Sequence, residues 1–345
     1  MLRFKTEGRD ASSIVENYAR HEISFSRLAH SMDISVVIVA WNAWHCLEPC
    51  LESIEEAPPH RSMEVIVVDN ASSDSTAEKV ESRFPWVKLI KSSENLGFSR
   101  GNNLGIRRCQ GHYIALVNPD IIVLPGCLDA LADFLDENSK VGNVGPRVFN
   151  PDGTQQSTCR RFPTLWNNFC SATGLASRFK NSKFFAGEHM FYFPHDCTLP
   201  VHVLVGCFSF IRREAFDSVG LLDEGLFMYG DDVDWCRRAW KAGWQVVFYP
   251  GARAIHDRGK TTAPFPVHFA LAQQRSVLYY WKKHHGRCGQ LGIRAIMLLR
   301  HVTRYAAGIV KSIAGSRAAK ESEIRKAVSG ACVRELLGGH VFTKA

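Results

Sequence analysis

Residues 34–41, ISVVIVAW, form an unbroken run of mostly β-branched and apolar side chains. Such a run indicates a strand that is buried on both faces, as in the middle of a parallel sheet. A helix is predicted next, at 46–57 (CLEPCLESIEEA), and the alternation repeats in MEVIVVDNASSDSTAEKVESRF (63–84) and VKLIKSSENLGFSRGNNLGIRRC (87–109). A further strand follows in HYIALVNPDIIV (112–123). This order predicts an α/β fold with a doubly wound, mainly parallel central sheet.

Composition limits the class of protein. The 345 residues are 46% hydrophobic and 22% charged, as expected for a globular protein with a large core. The 11 cysteines are scattered without two CxxC pairs, so we expect buried reduced thiols and a cytoplasmic location. The first residues are polar and no apolar stretch reaches about 18 residues, so neither a signal peptide nor a membrane span is expected.

Three segments differ in pattern. Residues 1–32 lack clear periodicity and are expected to form an N-terminal extension, 33–265 form the main domain, and 266–345 form a basic helical tail. Residues 281–345 carry 13 Lys and Arg against 3 Asp and Glu, whereas the whole chain has a net charge of +8. The amphipathic part, 281–315, either lies on an anionic membrane surface or packs on the domain with its basic face in solvent. Nucleic acid is disfavoured as a partner because this segment lacks interleaved aromatic residues.

Polar residues follow the predicted strands at their carboxyl ends, where ligands bind in such sheets. Asp69 either accepts hydrogen bonds from a ligand or makes an Asx turn that caps the next helix. The loop ENLGFSRGNNLG (94–105) places glycines before a helix, which suits a phosphate but is also typical of a structural loop. It matches neither GxGxxG nor a P-loop.

Asp120 lies between two apolar runs, in LVNPDIIV (116–123). An unpaired carboxylate in a buried strand is costly, and Pro119 directs the chain out of the strand. A carboxylate at this point suits Mg²⁺ or Mn²⁺, and the alternative is an ordinary turn aspartate.

A second acidic group occurs in FMYGDDVDWCRRAWKAGW (227–244). Asp231 and Asp232 begin an amphipathic helix, where the helix dipole accounts for one carboxylate but hardly for both. Paired acids separate their pKa values and can provide a general base. His256, at a predicted strand end, is either a metal ligand or a surface histidine.

These stretches, in this order over 34–259, resemble the family 2 glycosyltransferases with a GT-A fold, and among them the bacterial rhamnosyltransferases of cell-surface polysaccharide synthesis. The resemblance implies that 33–265 is a GT-A domain that transfers a sugar from a nucleotide diphosphate donor with inversion. It suggests L-rhamnose from dTDP-rhamnose as the donor sugar. It also implies a glycan or polyprenyl-diphosphate-linked acceptor, and a peripheral position at the inner face of the cytoplasmic membrane.

The resemblance further implies roles for individual residues. Asp232 would be the general base, with Asp231 where the family usually has Glu. Asp120 is the last residue of the DxD-type metal motif, whose first position here is Asn118, and His256 would be the second protein ligand of Mn²⁺ or Mg²⁺. The expected donor-site residues are Ala40, Asn42, Asp69, Asn95, Gly97, Arg100, Asn103, Asn118 and Asp120. Arg160 and Arg161 are expected on the acceptor or phosphate side.

Two other functions compete with transfer. A sugar nucleotidyltransferase also uses a parallel sheet and a metal aspartate, but it normally carries a Gly-rich basic signature in its first strand–helix turn, which VAWNAWHC (39–46) lacks. A dehydrogenase is disfavoured because GxGxxG is absent. A catalytically inactive protein that binds nucleotide sugars is the non-enzymatic alternative.

Overall fold

A computed structural model describes residues 32–257, 265–313 and 319–338. The N-terminal extension predicted at 1–32 lies outside the described residues except for Met32. The strands are β1 (Met32–Ala40), β2 (Met63–Asp69), β3 (Lys88–Lys91), β4 (Gly111–Val117), β5 (Ile121–Val123), β6 (Val141–Phe149), β7 (Cys159–Arg160), β8 (Leu199–Pro200), β9 (Val203–Leu204), β10 (Phe208–Arg212) and β11 (Gln245–His256). The helices are α1 (Trp44–Glu56), α2 (Thr76–Arg83), α3 (Gly97–Ile106), α4 (Cys127–Glu137), α5 (Leu165–Thr173), α6 (Leu175–Arg178), α7 (Arg213–Val219), α8 (Asp231–Lys241), α9 (Pro266–Ile313) and α10 (Ala319–Leu336).

Strand β1 is buried on both faces, as its apolar run predicts. Ile34, Val36 and Ile38 contact one hydrophobic core, while Val37 contacts the core on the opposite face. Successive side chains of a strand point to opposite faces, so a strand between two cores is apolar at most positions. Ser35 is the buried exception, and its Oγ donates to Glu64. The strand pairs in parallel with β2 and β4.

The main sheet has the order β3-β2-β1-β4-β10-β6-β11-β5, with β8 beside β11. The first four strands are parallel, β10 runs antiparallel between β4 and β6, and β6 and β11 are again parallel. Helices α1 and α4 cover one face, and α3, α7 and α8 cover the other. The prediction of a doubly wound, mainly parallel α/β fold is therefore confirmed.

Helix α9 docks on the main domain through a buried acid. Asp234 on α8 is fully buried and is bonded to Lys283 Nζ (2.6 Å), His284 Nε2 (2.7 Å) and Arg238 Nε (2.8 Å). Nearby, Tyr280, Trp281 and Ile293 form a separate small core. The start of the amphipathic segment 281–315 thus packs on the domain, one of the two predicted arrangements, and its last two residues lie outside the described residues. Among those described, no helix is long and apolar enough to cross a membrane.

Helix α3 packs very closely on the sheet because it is glycine-rich on that side. A Cβ at Gly105 would lie 2.5 Å from Val37 Cγ1, which is closer than two carbons can approach. The glycine at position 105 therefore allows the short distance between α3 and the sheet.

We expect Gly105→Ala to lower the free energy of unfolding by about 1–3 kcal/mol, because an added methyl overpacks a filled core. Chemical denaturation monitored by circular dichroism measures the loss. Gly330→Ala is the matched control: it lies in α10, where the new Cβ would meet Tyr305 at an ordinary 3.5 Å, so the substitution is expected to be neutral or stabilising. Equal losses for both variants would contradict the packing argument.

Candidate active site

The carboxyl ends of β1 and β2 meet at one edge of the sheet, where Ala40 pairs with Asp69. Asp69 is buried, and its Oδ2 accepts a long hydrogen bond from Ser72 N (3.4 Å). Its Oδ1 accepts no hydrogen bond within the described residues. Asp69 thus accepts a backbone N–H in its own loop but does not cap the next helix, which begins at Thr76. The other interpretation, a contact with a ligand, stays a prediction.

Asn42 joins the two loops beside this edge. Its backbone is left-handed (φ 49°), a conformation that Asn tolerates better than most residues. Its N–H donates to Ser72 Oγ (2.9 Å), and its Oδ1 accepts from Ser73 N (2.7 Å). The side chain therefore fixes the loop after β1 against the loop after β2.

The loop at 94–105 is held by the amide of Asn70. Asn70 Nδ2 donates to Asn95 Oδ1 (3.0 Å) and Gly97 O (3.2 Å), and its Oδ1 accepts from Leu96 N (2.8 Å). Gly97 has φ 75°, and a Cβ there would overlap the backbone oxygen of Phe227. The predicted loop residues Asn95 and Gly97 are thereby brought to the Asp69 edge.

Arg100 and Asn103 lie further along α3. Arg100 is exposed and lies 3.6 Å from Glu94. Asn103 is buried, where its Nδ2 donates to Leu222 O (2.9 Å) and Glu224 Oε1 (3.0 Å) while its Oδ1 accepts from Leu222 N (3.0 Å). These contacts give Asn103 the structural task of holding the loop before α8, which the sequence analysis did not foresee.

Asp120 lies in a tight turn between β4 and β5. Ile121 N donates to Asn118 O (3.2 Å), and β5 pairs with β11 so that Ile121 is opposite His256. As a result, His256 Nε2 lies 3.2 Å from Asp120 Oδ1, with both residues less than a tenth exposed. His256 is therefore a partner of Asp120 and not a surface residue.

Gln156 fixes the orientation of the histidine ring. Gln156 Nε2 donates to Asn150 Oδ1 (2.8 Å) and to His256 O (2.8 Å), so Gln156 Oε1 faces His256 Nδ1 at 2.9 Å. An amide oxygen only accepts, so Nδ1 carries the proton. Burial lowers the pKa of His256, but hydrogen bonds to Asp120 and Cys207 outweigh it and raise the pKa to about 10. Gln156 was not predicted, because nothing in the sequence distinguishes it from Gln155 beside it.

The residues around Asp120 fit a divalent cation. Asn118 Oδ1 is buried and accepts no hydrogen bond in the part of the chain that the structure describes. Asp120 Oδ1 and His256 Nε2 point toward the same space. They form a pair only, because no group of three or more His, Cys, Asp or Glu side chains suited to a metal occurs among residues 32–257, 265–313 and 319–338. Two protein ligands with phosphate oxygens or water completing the coordination are typical of Mg²⁺ and also suit Mn²⁺.

Asp231 and Asp232 begin α8, as predicted, after Gly230 with φ 80°. Asp232 accepts from Gly206 N (3.1 Å) and Val233 N (2.8 Å). Both acids line a small cleft of about 20 Å³, together with Gly206, Phe98, Leu116, Asn143, Ser209, Ile211, Leu222, Trp235 and Cys236.

Burial raises the pKa of both carboxyl groups. Desolvation and then the charge of Asp232 raise the pKa of Asp231 to about 8. Desolvation also raises the pKa of Asp232, but the N–H groups of Gly206 and Val233 and the charge of Arg160 oppose that rise. Asp231 therefore holds a proton at neutral pH, and the N–H groups of Gly206 and Val233 together with Arg160 favour the charged form of Asp232.

The dipeptide Gly206–Cys207 lies between the two acidic groups. Gly206 N donates to Asp232, and Cys207 O accepts from Asn118 N (2.9 Å). The Cys207 thiol lies close enough to His256 to help raise its pKa. The Asp120–His256 pair and Asp232 are thus attached to consecutive residues, although Asp120 is not part of the cleft lining. No feature of the local sequence predicted a role for this dipeptide.

Arg160 and Arg161 lie on the Asp232 side. Arg160 Nη1 donates to Ser157 Oγ (3.0 Å) and His189 O (3.2 Å), and its charge lowers the pKa of Asp232. Arg161 is exposed, and its N–H donates to Glu188 O (3.0 Å). Arg160 is therefore the one of the two that faces the acidic pair electrostatically.

Comparison with known proteins adds a family to this geometry. Residues 35–220, more than half of the chain, match the model of glycosyl transferase family 2. The chain belongs to this family. It is accordingly a glycosyltransferase, and the predicted enzyme class is confirmed.

The relatives differ in what they act on. An N-acetylglucosaminyl-diphospho-decaprenol L-rhamnosyltransferase of Mycobacterium tuberculosis is 27% identical over 300 residues, which cover 79% of this chain and 94% of that protein. The human polypeptide N-acetylgalactosaminyltransferase 18 is 26% identical over 65% of this chain and 38% of its own length. A mannosyltransferase of Pyrobaculum calidifontis, solved with GDP-Man and Mn²⁺, has a TM-score of 0.53 at 16% identity over 94% of this chain and 95% of its own. This last similarity supports the GT-A fold.

We expect Asp231→Asn to stabilise the protein progressively as the pH rises. The pKa of Asp231 is about 8 in the folded protein against an ordinary 3.8. The folded state therefore binds the extra proton between these values, and wild-type stability falls as pH rises through that window. The Asn variant lacks this loss. Urea denaturation at pH 5 and 7, inside the window, and at pH 9, above it, measures the difference.

Asp234→Asn on the same helix is the control, with the opposite sign. Despite its burial, hydrogen bonds to Lys283, His284 and Arg238 lower the pKa of Asp234. Its stabilisation is present above pH 3.8 and lost as pH falls through the lowered folded pKa. This variant is expected to be less stable than wild type at pH 7. A gap between Asp231→Asn and wild type that shrinks with rising pH would contradict the assignment.

Proposed function

We propose that this glycosyltransferase transfers L-rhamnose from dTDP-rhamnose to a hydroxyl of a lipid-linked or cell-surface glycan acceptor, with inversion at the anomeric carbon. The observation that carries the proposal is the attachment of Asp232 and of the Asp120–His256 pair to the consecutive residues Gly206 and Cys207. The mycobacterial relative supports the sugar and the lipid-linked acceptor, since it aligns over most of both chains and is named for them.

The donor nucleotide would lie along the carboxyl edge of β1, β2 and β4. Asp69 has a buried oxygen without a hydrogen bond among the described residues, which suits the base or ribose of a nucleoside. Ala40 and Asn42 lie beside it. Asn95, Gly97 and Arg100 would line the diphosphate, where Gly97 permits close approach and Arg100 supplies an exposed positive charge.

Asp120 Oδ1 and His256 Nε2 would hold Mn²⁺ or Mg²⁺, with the Asn118 amide nearby. Gln156 would keep the proton on Nδ1, so that a metal would displace only the Nε2 proton. When bound, such an ion neutralises charge that develops on a departing diphosphate. The Mn²⁺ in the P. calidifontis enzyme supports this choice of ion.

Asp232 would act as the general base. A sugar hydroxyl is a poor nucleophile until a positioned carboxylate accepts its proton. Asp232 would take this proton while the acceptor oxygen forms the bond to the anomeric carbon and the bond to the diphosphate breaks on the opposite face. Asp231, whose pKa is raised to about 8, would limit the negative charge beside it. Arg160, and more distantly Arg161, would orient the acceptor or its phosphate.

A lipid-linked acceptor requires the enzyme to work at a membrane. We infer a peripheral position at the inner face of the cytoplasmic membrane, with the exposed basic side chains of the stretch 281–315, among them Arg287 and Arg304, toward anionic headgroups. The sugar nucleotidyltransferase alternative is removed by the family match. An inactive nucleotide-sugar-binding protein is the outcome that the following experiments would reveal.

We expect Asp232→Asn to reduce sugar transfer by roughly 100- to 10,000-fold, the range for loss of a general base. Donor binding, measured as thermal stabilisation by dTDP-rhamnose with Mn²⁺, should remain. Asp152→Asn, in the exposed turn at 151–153, is the control and should transfer normally. Transfer at the wild-type rate by Asp232→Asn would refute the mechanism, and binding without turnover in wild type would favour the inactive binder.

We expect a thermal-shift screen of nucleotide sugars to give stabilisation that depends on Mn²⁺, because a ligand bound by the native state raises its stability. Asp120→Ala should remove the metal-dependent part and weaken Mn²⁺ binding more than about tenfold, as titrated by electron paramagnetic resonance. Asp196→Ala is the control: it removes the same charge from an exposed position away from this edge of the sheet. It should retain both the metal-dependent stabilisation and the Mn²⁺ affinity. Unchanged Mn²⁺ affinity in Asp120→Ala would refute the metal site.

A further inference from the structure

Aromatic side chains gather on the surface of residues 165–185, which comprise α5, α6 and the loop after them and are called the aromatic segment below. Trp166 is 39% exposed, Phe179 43% and Phe184 62%. Ring centroids of Trp166 and Phe184 lie 5.0 Å apart, and Trp166 Nε1 donates to Phe184 O (3.0 Å). Phe185 joins the group at 5.1 Å from Phe184 and 4.9 Å from Phe179. The exposed rings thus form one patch.

The charge of this segment has a single sign. Arg178, Lys180 and Lys183 are exposed, and residues 164–185 contain no Asp or Glu. Aromatic rings on a protein surface commonly mark a contact with another molecule. Because the charged side chains here are all cations, they favour a partner with a negatively charged surface.

The patch continues onto helix α9. A Cβ at Gly292 would lie 3.0 Å from Leu165 Cδ1, so the two elements touch there. Leu291 beside it is 63% exposed. Further exposed residues on α9 are the apolar Leu299, Val302, Tyr305 and Ile309 and the basic Arg287, Arg294 and Arg304. The aromatic segment and α9 therefore present similar chemistry side by side.

The segment is also connected to the acceptor side of the site. Ser171 Oγ on α5 contacts His189 Nε2 (3.1 Å), and His189 O accepts from Arg160 (3.2 Å). Arg160 acts electrostatically on Asp232. One residue thus links the aromatic segment to the arginine that faces the acidic pair.

We propose that the aromatic segment is a membrane anchor that inserts Trp166, Phe179 and Phe184 into the headgroup region of an anionic phospholipid bilayer. Aromatic rings prefer this interfacial region, and cations beside them bind anionic headgroups. The anchor works with α9 and sets the acceptor side of the cleft toward the lipid. We propose a lipid surface and not a protein as the partner because the proposed function, on which this inference rests, includes a lipid-linked acceptor.

Co-sedimentation of the full chain with vesicles tests the anchor. Wild type should bind phosphatidylcholine vesicles that contain phosphatidylglycerol and should bind pure phosphatidylcholine much more weakly. The double variant Trp166→Ala with Phe184→Ala should bind the anionic vesicles at least about tenfold more weakly, because two rings no longer enter the interface. The triple variant Arg178→Gln, Lys180→Gln and Lys183→Gln should lose its preference for anionic vesicles.

Trp86→Ala is the matched control. Trp86 is also 39% exposed and also donates its Nε1 hydrogen, to Glu55, but it lies next to β3 at the far end of the sheet. This variant should bind vesicles like wild type. Circular dichroism melting and donor-dependent thermal shifts, both without vesicles, report on folding and donor binding separately.

Each result decides the proposal. It is overturned if wild type ignores anionic vesicles, if the double variant binds like wild type, or if Trp86→Ala weakens binding equally. Dimers in light scattering that the double variant disperses, without vesicle binding, would assign the patch to a second copy of the chain. Absence of donor binding by wild type would refute the proposed function. The vesicle measurements would still decide whether the aromatic segment binds a membrane.

Discussion

Two backbone hydrogen bonds from neighbouring residues define the candidate active site. Gly206 donates to the Asp232 carboxylate, and Cys207 accepts from Asn118 in the turn that contains Asp120. Consecutive α-carbons are about 3.8 Å apart, so this short connection fixes the separation of the two acidic groups. Because backbone atoms make both bonds, the arrangement depends on the path of the chain before β10 more than on any side chain there.

The three acids at the start of α8 have different surroundings and therefore different properties. Asp231 is desolvated beside a like charge, and Asp232 receives backbone N–H groups. Asp234 is surrounded by Arg238, Lys283 and His284. A part of the positive charge that the sequence locates in the tail is thus used to neutralise a buried acid of the main domain. The basic tail and the acidic helix form one electrostatic unit.

Local features of the fold and of the site follow from the sequence. The apolar run of β1 predicts a strand between two cores, and Asp69 and Asp120 are found at strand ends as their context indicates. Contacts between distant segments do not follow. The pairing of His256 with Asp120 depends on the register of β11 on β5, and the role of Gln156 depends on the hairpin after β6. Neither register is encoded in the local pattern, since each is set by packing of the complete sheet.

The position of β11 has a consequence for synthesis of the protein. Strand β5 pairs only with β11 in the described sheet, and β11 also covers the outer side of β6. During synthesis β1 to β4 are made before β5 and β6. The edges of β5 and β6 that pair with β11 remain unpaired until residues 245–256 emerge from the ribosome. Unpaired edges invite association with other chains, and such distant pairings form slowly. The nascent polypeptide thus passes through an aggregation-prone interval that ends when the strand carrying His256 joins the sheet.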